Sequence, residues 1–67
     1  MVADMKNNIC IDIGGTYVKY AVFNKNILKK YNFVKTDRAD ILNQLKNLIK
    51  KIVKEEHYDV NTIGISI

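Results

Sequence analysis

Hydrophobic and polar residues alternate in three successive stretches near the start of the chain. The alternation predicts β-strands over 8–13, 16–23 and 27–35. The first strand is apolar on both faces up to Asp12, and the second is rich in β-branched and aromatic residues. The third is weaker and more polar, as expected of an outer strand. These stretches therefore indicate an antiparallel meander.

Two short segments of turn-forming residues separate these strands. Gly14-Gly15 predicts a two-residue hairpin, because glycine adopts the positive φ angles that such a turn requires. Asn24-Lys25-Asn26 predicts the second turn, since asparagine tolerates left-handed backbone geometry. Residues 1–7, which precede the first strand, are polar and expected to fray.

Farther along the chain, the apolar residues recur at the spacing of an amphipathic helix. Asp37 is expected to cap its N-terminus, with Asp40 favourable in the first turn and the helix end near Glu56. The apolar stripe, which should face the core, comprises Ile41, Leu42, Leu45, Leu48, Ile49, Ile52 and Val53. The opposite face is solvated and carries Lys46, Lys50 and Lys54.

A fourth apolar alternation, over 62–67, predicts a strand after the helix. The resulting order is β-β-β-α-β, an α/β class with a mixed sheet and one helix. The helix should return the chain as a right-handed crossover, with the last strand parallel to the first. A chain of 67 residues forms at most one small domain.

Composition limits where the protein works and what it binds. Apolar residues make up 48% and charged residues 27% of the chain, which is typical of a folded protein. No stretch is long and apolar enough to span a membrane, and the first residues lack the features of a secretory signal. The single cysteine, Cys10, provides neither a disulfide framework nor a zinc site. A cytoplasmic location without a membrane partner is therefore expected.

The net charge of +4 raises the question of nucleic-acid binding. However, four of the lysines lie in one stretch on the solvent side of the predicted helix: Lys46, Lys50, Lys51 and Lys54. No zinc finger, basic zipper or RNA-recognition motif accompanies them. No nucleic-acid partner is therefore expected.

The segment from Asp12 to Lys19 carries the most informative chemistry. A carboxylate ends a strand directly before Gly14 and Gly15, whose uncovered amides allow an anion to approach. Thr16 adds a hydroxyl donor, Asp12 is suited to hold a hydrated Mg²⁺, and Lys19 supplies a cation. Phosphoryl transfer needs these parts. A plain alternative stands beside this interpretation, because glycine hairpins are common in β proteins and an aspartate before a turn often binds backbone groups.

The stretch Ile-Asp-Ile-Gly-Gly-Thr-Tyr-Val-Lys-Tyr-Ala-Val-Phe, from Ile11 to Phe23, resembles the first phosphate motif of the actin/hexokinase/Hsp70 superfamily. Its double glycine and threonine look like those of the ROK family of sugar kinases and related repressors. The ending, Ile63 to Ile67, is similar to the fourth strand of that family. The resemblance implies that residues 1–67 form an incomplete N-terminal, ribonuclease-H-like lobe of an ATP-dependent kinase for a hexose or amino sugar.

By this resemblance, Asp12 lies near Mg²⁺, and Lys19 occupies a basic position that is frequent in such kinases. Tyr17 departs from the lysine or other polar residue of many relatives. The hairpin that meets the phosphates of ATP would comprise Gly14, Gly15 and Thr16. The catalytic base, the sugar-binding residues and the zinc motif of the family have no counterpart here. The resemblance therefore implies an active parent protein and an inactive 67-residue chain.

Two alternative functions belong to other classes. ROK-type repressors carry a DNA-binding domain before the kinase-like fold, and the eleven residues before Asp12 are too few for one. A non-catalytic, self-associating fragment is the second alternative, because one sheet face and an open edge would stay uncovered. This exposure predicts a homo-oligomer.

The remaining reactive side chains have ordinary structural explanations. Cys10 is expected to be a small core residue, and His57 a solvated residue at the helix end. Ser66 lacks the sequence context of a nucleophile. Packing within the sheet explains the spacing of the aromatic residues Tyr17, Tyr20, Phe23, Tyr31 and Phe33.

Overall fold

A mixed sheet with one helix packed on it forms the fold, in a computed structural model that describes residues 6–57 and 59–67. The strands are β1 (Asn7–Ile13), β2 (Tyr17–Asn24), β3 (Ile27–Lys35) and β4 (Val60–Ser66), and the helix α1 spans Ile41–Glu55. The α/β class and the β-β-β-α-β order are thus confirmed. No helix within the described ranges is long and apolar enough to cross a membrane.

The strand pairing agrees with the predicted antiparallel meander and with the predicted parallel pairing of the last strand and the first. The order across the sheet is β3-β2-β1-β4. β2 pairs antiparallel with both β1 and β3, whereas β4 pairs in parallel with β1. β3 and β4 therefore form the two edges of the sheet. The expected fraying of 1–7 falls mostly on residues 1–5, which lie outside the described residues, and Asn7 already belongs to β1.

The hydrophobic core lies between α1 and one face of the sheet. Because side chains alternate along a strand, the odd positions of β1 and the even positions of β2 point to the same face. The apolar stripe of α1 covers that face, except for Leu42, which is exposed although the sequence placed it in the stripe. Among the described residues, the buried hydrophobic side chains are Ile9, Ile11, Val18, Tyr20, Val22, Leu48 and Ile52.

The other face of the sheet, termed here the open face, has no described element against it. Cys10 projects from it and is exposed, so the expectation that it packs in the core is wrong. That expectation assumed cover on both faces of β1, and α1 covers only one. Tyr17 and Phe33 pack edge to face here, with ring centroids 5.2 Å apart. The register places the following residues on the open face: Asn8, Cys10, Asp12, Tyr17, Lys19, Ala21, Phe23, Leu28, Tyr31, Phe33, Lys35, Thr62, Gly64 and Ser66.

The N-cap of α1 is a different aspartate from the one that the sequence predicted. Asp40 is the N-cap, and its carboxylate accepts a hydrogen bond from the amide of Asn43 at 3.3 Å. Asp37 instead accepts from the amides of Ala39 and Asp40 in the preceding turn. Both aspartates have the chemistry of a cap, so the path of the chain between β3 and α1 decides which one serves.

The β2–β3 turn has the left-handed geometry that its asparagines suggested. Lys25 and Asn26 have φ angles of 50° and 66°. Two consecutive left-handed residues match the twist of the flanking strands in a two-residue hairpin. The prediction is confirmed for Asn26, whereas Asn24 belongs to β2.

A buried carboxylate connects the end of α1 to three strands. Glu56, which is 7% exposed, accepts hydrogen bonds from Lys29 Nζ at 2.7 Å and from Asn7 Nδ2 at 3.2 Å. Asn7 in turn accepts from Asn24 at 3.1 Å. Lys30 Nζ lies 3.4 Å from the other oxygen of Glu56. The hydrogen bond and charge of Lys29 lower the pKa of Glu56, although burial acts in the opposite direction.

Replacement of Ile52 by alanine should lower the free energy of unfolding by about 2–5 kcal/mol, because it leaves a cavity in the core. This approaches the whole stability of a small domain. Ile52→Val should lower the free energy of unfolding by only about 0.5–1.5 kcal/mol, so this variant should stay folded and its loss can be measured. Lys50→Ala, on the exposed side of α1, is the control and should change stability by less than about 0.5 kcal/mol. Urea denaturation measures each variant, and equal effects of Ile52→Val and Lys50→Ala would contradict this core.

Stability should also fall as the pH drops below the ordinary Glu56 pKa of 4.5. Above that pH, the carboxylate is ionised in both states and its contact with Lys29 contributes in full. Below it, the unfolded chain binds a proton first, and the contribution is lost as the pH passes through the lowered pKa of the folded state.

Glu56→Gln should remove about 1–3 kcal/mol at neutral pH and flatten this acidic part of the stability profile. Glu55→Gln is the matched control, since it breaks only the exposed pair with Lys30 and should cost less than about 1 kcal/mol. Urea denaturation at a series of pH values gives both profiles. An unchanged acidic slope in Glu56→Gln would assign the pH dependence to another group.

Candidate phosphate-binding site

The loop between β1 and β2 does not have the geometry predicted from its glycines. It consists of Gly14, Gly15 and Thr16, and none of the glycines in the described part of the chain has a positive φ. The amide of Gly14 donates to the carbonyl of Tyr17 at 2.9 Å and closes the loop. The prediction of a two-residue hairpin with left-handed glycines is therefore wrong.

Close approach of the backbone, rather than φ, explains the glycine at position 14. A Cβ atom on Gly14 would lie 2.9 Å from the carbonyl oxygen of Tyr17, which is closer than such atoms come. A Cβ atom on Gly15 would meet only the flexible side chain of Arg38, at 3.4 Å. The shape of the loop thus depends on Gly14, while Gly15 leaves the backbone uncovered.

Residues in the segment between β3 and α1 donate hydrogen bonds to all three carbonyl groups of the β1–β2 loop. Thr36 donates its hydroxyl to the carbonyl of Gly14 at 2.8 Å and its amide to that of Thr16 at 2.9 Å. Arg38 Nε donates to the carbonyl of Gly15 at 3.0 Å. In a trans peptide the N–H points opposite to the C=O. The amides of Gly15 and Thr16 therefore point away from these donors, and they bond to no other described residue.

Asp12 and Lys19 lie opposite each other on β1 and β2, on the open face and close to this loop. Both side chains are exposed, and no ion pair joins them. Ser66 pairs with Asp12 in the parallel register and donates its hydroxyl to Asp12 Oδ1 at 3.2 Å. The three side chains border a broad depression of about 580 Å³, whose apolar side includes Phe23 and Tyr31.

The chemistry of Asp12 is compatible with a hydrated Mg²⁺. This ion keeps several water ligands and commonly binds through one or two carboxylates together with substrate phosphates. A single exposed carboxylate beside a hydroxyl, as in Asp12 and Ser66, fits that requirement. Over the described ranges, no group of three or more His, Cys, Asp and Glu side chains converges on one point.

The residues singled out by the sequence lie near one end of the sheet: Asp12, Gly14, Gly15, Thr16 and Lys19. Sequence reasoning missed three residues that support them: Thr36, Arg38 and Ser66. The sequence around Thr36 and Arg38 does not indicate their role, because they contact the loop only in the folded protein. Ser66 was accessible to prediction, since a parallel return of β4 brings its end beside the end of β1.

His57, which follows the helix, lies at the opposite end of the sheet. It is exposed just after α1, as predicted, and has a left-handed φ of 56°. Its amide donates to the carbonyl of Lys54 at 3.1 Å, in the manner of a helix C-terminus. His57 therefore belongs to the end of the helix and lies apart from Asp12 and the loop.

The sequence as a whole matches no protein-family model, and no curated protein matches it significantly. A functional assignment therefore rests on the chemistry of the site and on the resemblance of its motif.

Gly14→Ala should destabilise the protein by about 1–3 kcal/mol, because the added methyl group collides with the backbone of β2. Gly15→Ala adds the same methyl group beside a side chain that can move, and should have a much smaller effect. Thermal unfolding of the two variants measures the difference. A larger loss for Gly15→Ala than for Gly14→Ala would mean that the loop has another shape.

Proposed function

We propose that this chain is the N-terminal, phosphate-binding part of an ATP-dependent sugar kinase. Its sheet and helix would form part of a ribonuclease-H-like lobe, as in the actin-like ATPases. The parent enzyme would transfer the γ-phosphoryl group of ATP to a hydroxyl group of a hexose or amino sugar. The observation that carries the proposal is the pair of unbonded amides at Gly15 and Thr16, directly after the strand that presents Asp12.

The amides of Gly15 and Thr16 are suited to bind phosphate oxygens. Backbone N–H groups without a partner attract anions, and a glycine lets the anion come close. The hydroxyl of Thr16 is one more donor. Thr36 and Arg38 fix the carbonyl side of the same peptides, so the amides are oriented before a nucleotide arrives.

Positive charge near the loop complements the phosphates. Lys19 is exposed on the open face and forms no ion pair with another described residue. It is therefore free to stabilise negative charge on a phosphoryl group. Arg38 donates through Nε to the carbonyl of Gly15, on the side away from the free amides, and so helps to orient the loop.

Asp12 would hold Mg²⁺ through its carboxylate, and the hydrogen bond from Ser66 would orient one of the two oxygens. Mg²⁺ bound there would neutralise part of the negative charge on the phosphates. We assign no catalytic base and no sugar-binding residue within residues 1–67. In this proposal those groups belong to the rest of a cytoplasmic parent enzyme, and the chain by itself binds ATP without transferring phosphate.

Binding of ATP to the 67-residue chain should depend on Mg²⁺ and on the charge of Asp12. Asp12→Asn keeps the shape of the side chain, and we expect it to weaken Mg²⁺-dependent binding by about tenfold or more. Isothermal titration calorimetry with and without EDTA measures this. Asp59→Asn is the matched control, because Asp59 is exposed at the opposite end of the sheet, and it should bind like the wild type.

Sugar phosphorylation should be measured on the product of the whole gene. Asp12→Asn should remove most ATP-dependent phosphorylation of hexoses or amino sugars, whereas Asp59→Asn should leave it intact. Unchanged turnover in Asp12→Asn would overturn the role assigned to Asp12. ATP binding that ignores both Mg²⁺ and the substitution would overturn the whole phosphate site.

A further inference from the structure

A side chain of α1 holds the chain on both sides of Thr36. Gln44 lies near the start of the helix, and its Nε2 donates a hydrogen bond to the carbonyl of Lys35 at 2.7 Å. Its Oε1 accepts a hydrogen bond from the amide of Asp37 at 2.8 Å. Lys35 and Asp37 are the two neighbours of Thr36, so segment 35–37 is tied to α1 at two points.

These two bonds lie on the side of segment 35–37 that faces away from the β1–β2 loop. Backbone groups of successive residues in an extended chain point to alternate sides. Thr36 directs its amide inward, to the carbonyl of Thr16. The bonded groups of Lys35 and Asp37 therefore point outward, beyond the edge strand β3. The side-chain amide of Gln44 takes the position that a further strand would occupy there.

Thr36 connects the same segment to the β1–β2 loop. Its hydroxyl donates to the carbonyl of Gly14, and its amide donates to the carbonyl of Thr16. The carbonyl of Gly14 and the amide of Gly15 belong to one peptide group, so a displacement of Thr36 would turn that amide. Gln44 therefore holds the residue that orients the loop.

We propose that Gln44 is a positioning residue for the candidate phosphate-binding loop, and that it acts from α1 through Thr36. The inference rests on the proposed function, because it concerns the orientation of the same amides. It adds that the loop takes its position from the helix as well as from the neighbouring strands. The link consists of one helix side chain, one backbone segment and one threonine.

A purely stabilising role does not account for this arrangement. The bonds from Gln44 to Lys35 and Asp37 are exposed. Without Gln44, water would bond to the same carbonyl and amide, so these bonds add little to the free energy of unfolding. Water is not attached to α1, however, and would leave the segment free to move relative to the helix. The loss of Gln44 should therefore affect the position of the loop more than the stability of the protein.

Gln44→Ala removes both bonds and keeps a good helix former at this position. In the chain without ligand, we expect the amide NMR resonances of Gly15 and Thr16 to move, while the free energy of unfolding changes little. Asn47→Ala is the matched control, because it truncates another amide side chain of α1 at an exposed position. It should leave these resonances in place. Unchanged resonances in Gln44→Ala, or equal shifts in Asn47→Ala, would overturn the proposal.

Binding of ATP with Mg²⁺ tests whether Gln44 acts through Thr36. Gln44→Ala and Thr36→Val, which keeps the shape of threonine without its hydroxyl, should each raise the dissociation constant by about threefold to tenfold. Because one residue acts through the other, the double variant should lose less affinity than the product of the two single effects. Thr36→Ser, which keeps the hydroxyl, should bind like the wild type. Single effects that simply multiply would mean that the two residues act independently, against the proposal.

A failure of the proposed function gives a different result. If the wild type does not bind ATP with Mg²⁺ in calorimetry, the phosphate site is overturned. The resonances of the ligand-free chain decide separately whether Gln44 orients the loop. Shifts at Gly15 and Thr16 in both Gln44→Ala and Thr36→Val support the link, whereas a loss of stability in Gln44→Ala without any shift there would leave Gln44 a structural role alone.

Discussion

The packing of α1 on one face of the sheet is the contact on which the rest of this structure depends. Ile52 of α1 is excluded from water against Ile9, Ile11 and Val22 of the sheet. Full burial of such a side chain contributes about 1.5–3 kcal/mol, which a domain of this size needs. Because strand side chains alternate, each buried residue forces its neighbours onto the open face. Asp12 is exposed for that reason.

The polar groups at the two ends of this core are hydrogen-bonded in different ways. At the end of α1, Glu56 gathers Lys29 and Asn7 around one carboxylate, so donors and acceptors there satisfy each other. At the start of α1, Thr36 and Arg38 satisfy only the carbonyl side of the β1–β2 loop. The amides of Gly15 and Thr16 have no partner among the described residues. The stabilising cluster and the candidate site thus differ in which backbone and side-chain groups remain unpaired.

The position of α1 also decides where the candidate site lies. A single helix covers the middle of one sheet face and leaves the open face accessible. Phosphate binding would use the loop end of the sheet, where Lys19 supplies positive charge and Arg38 holds the carbonyl of Gly15.

The amino-acid sequence by itself determined the elements and their order, because these depend on local periodicity. Its side-chain chemistry singled out Asp12, the β1–β2 loop and Lys19 as a candidate site, but not the residues that support them. It could state that Cys10 and Asp12 share a face, but only the tertiary structure decided that this face is uncovered. The sequence likewise indicated that Gly14 matters, but the reason, which is the close approach of β2, is visible only in the structure. Thr36 and Arg38 join the loop across more than twenty positions of the chain. Contacts of that kind depend on how elements pack in three dimensions, and no local pattern encodes them.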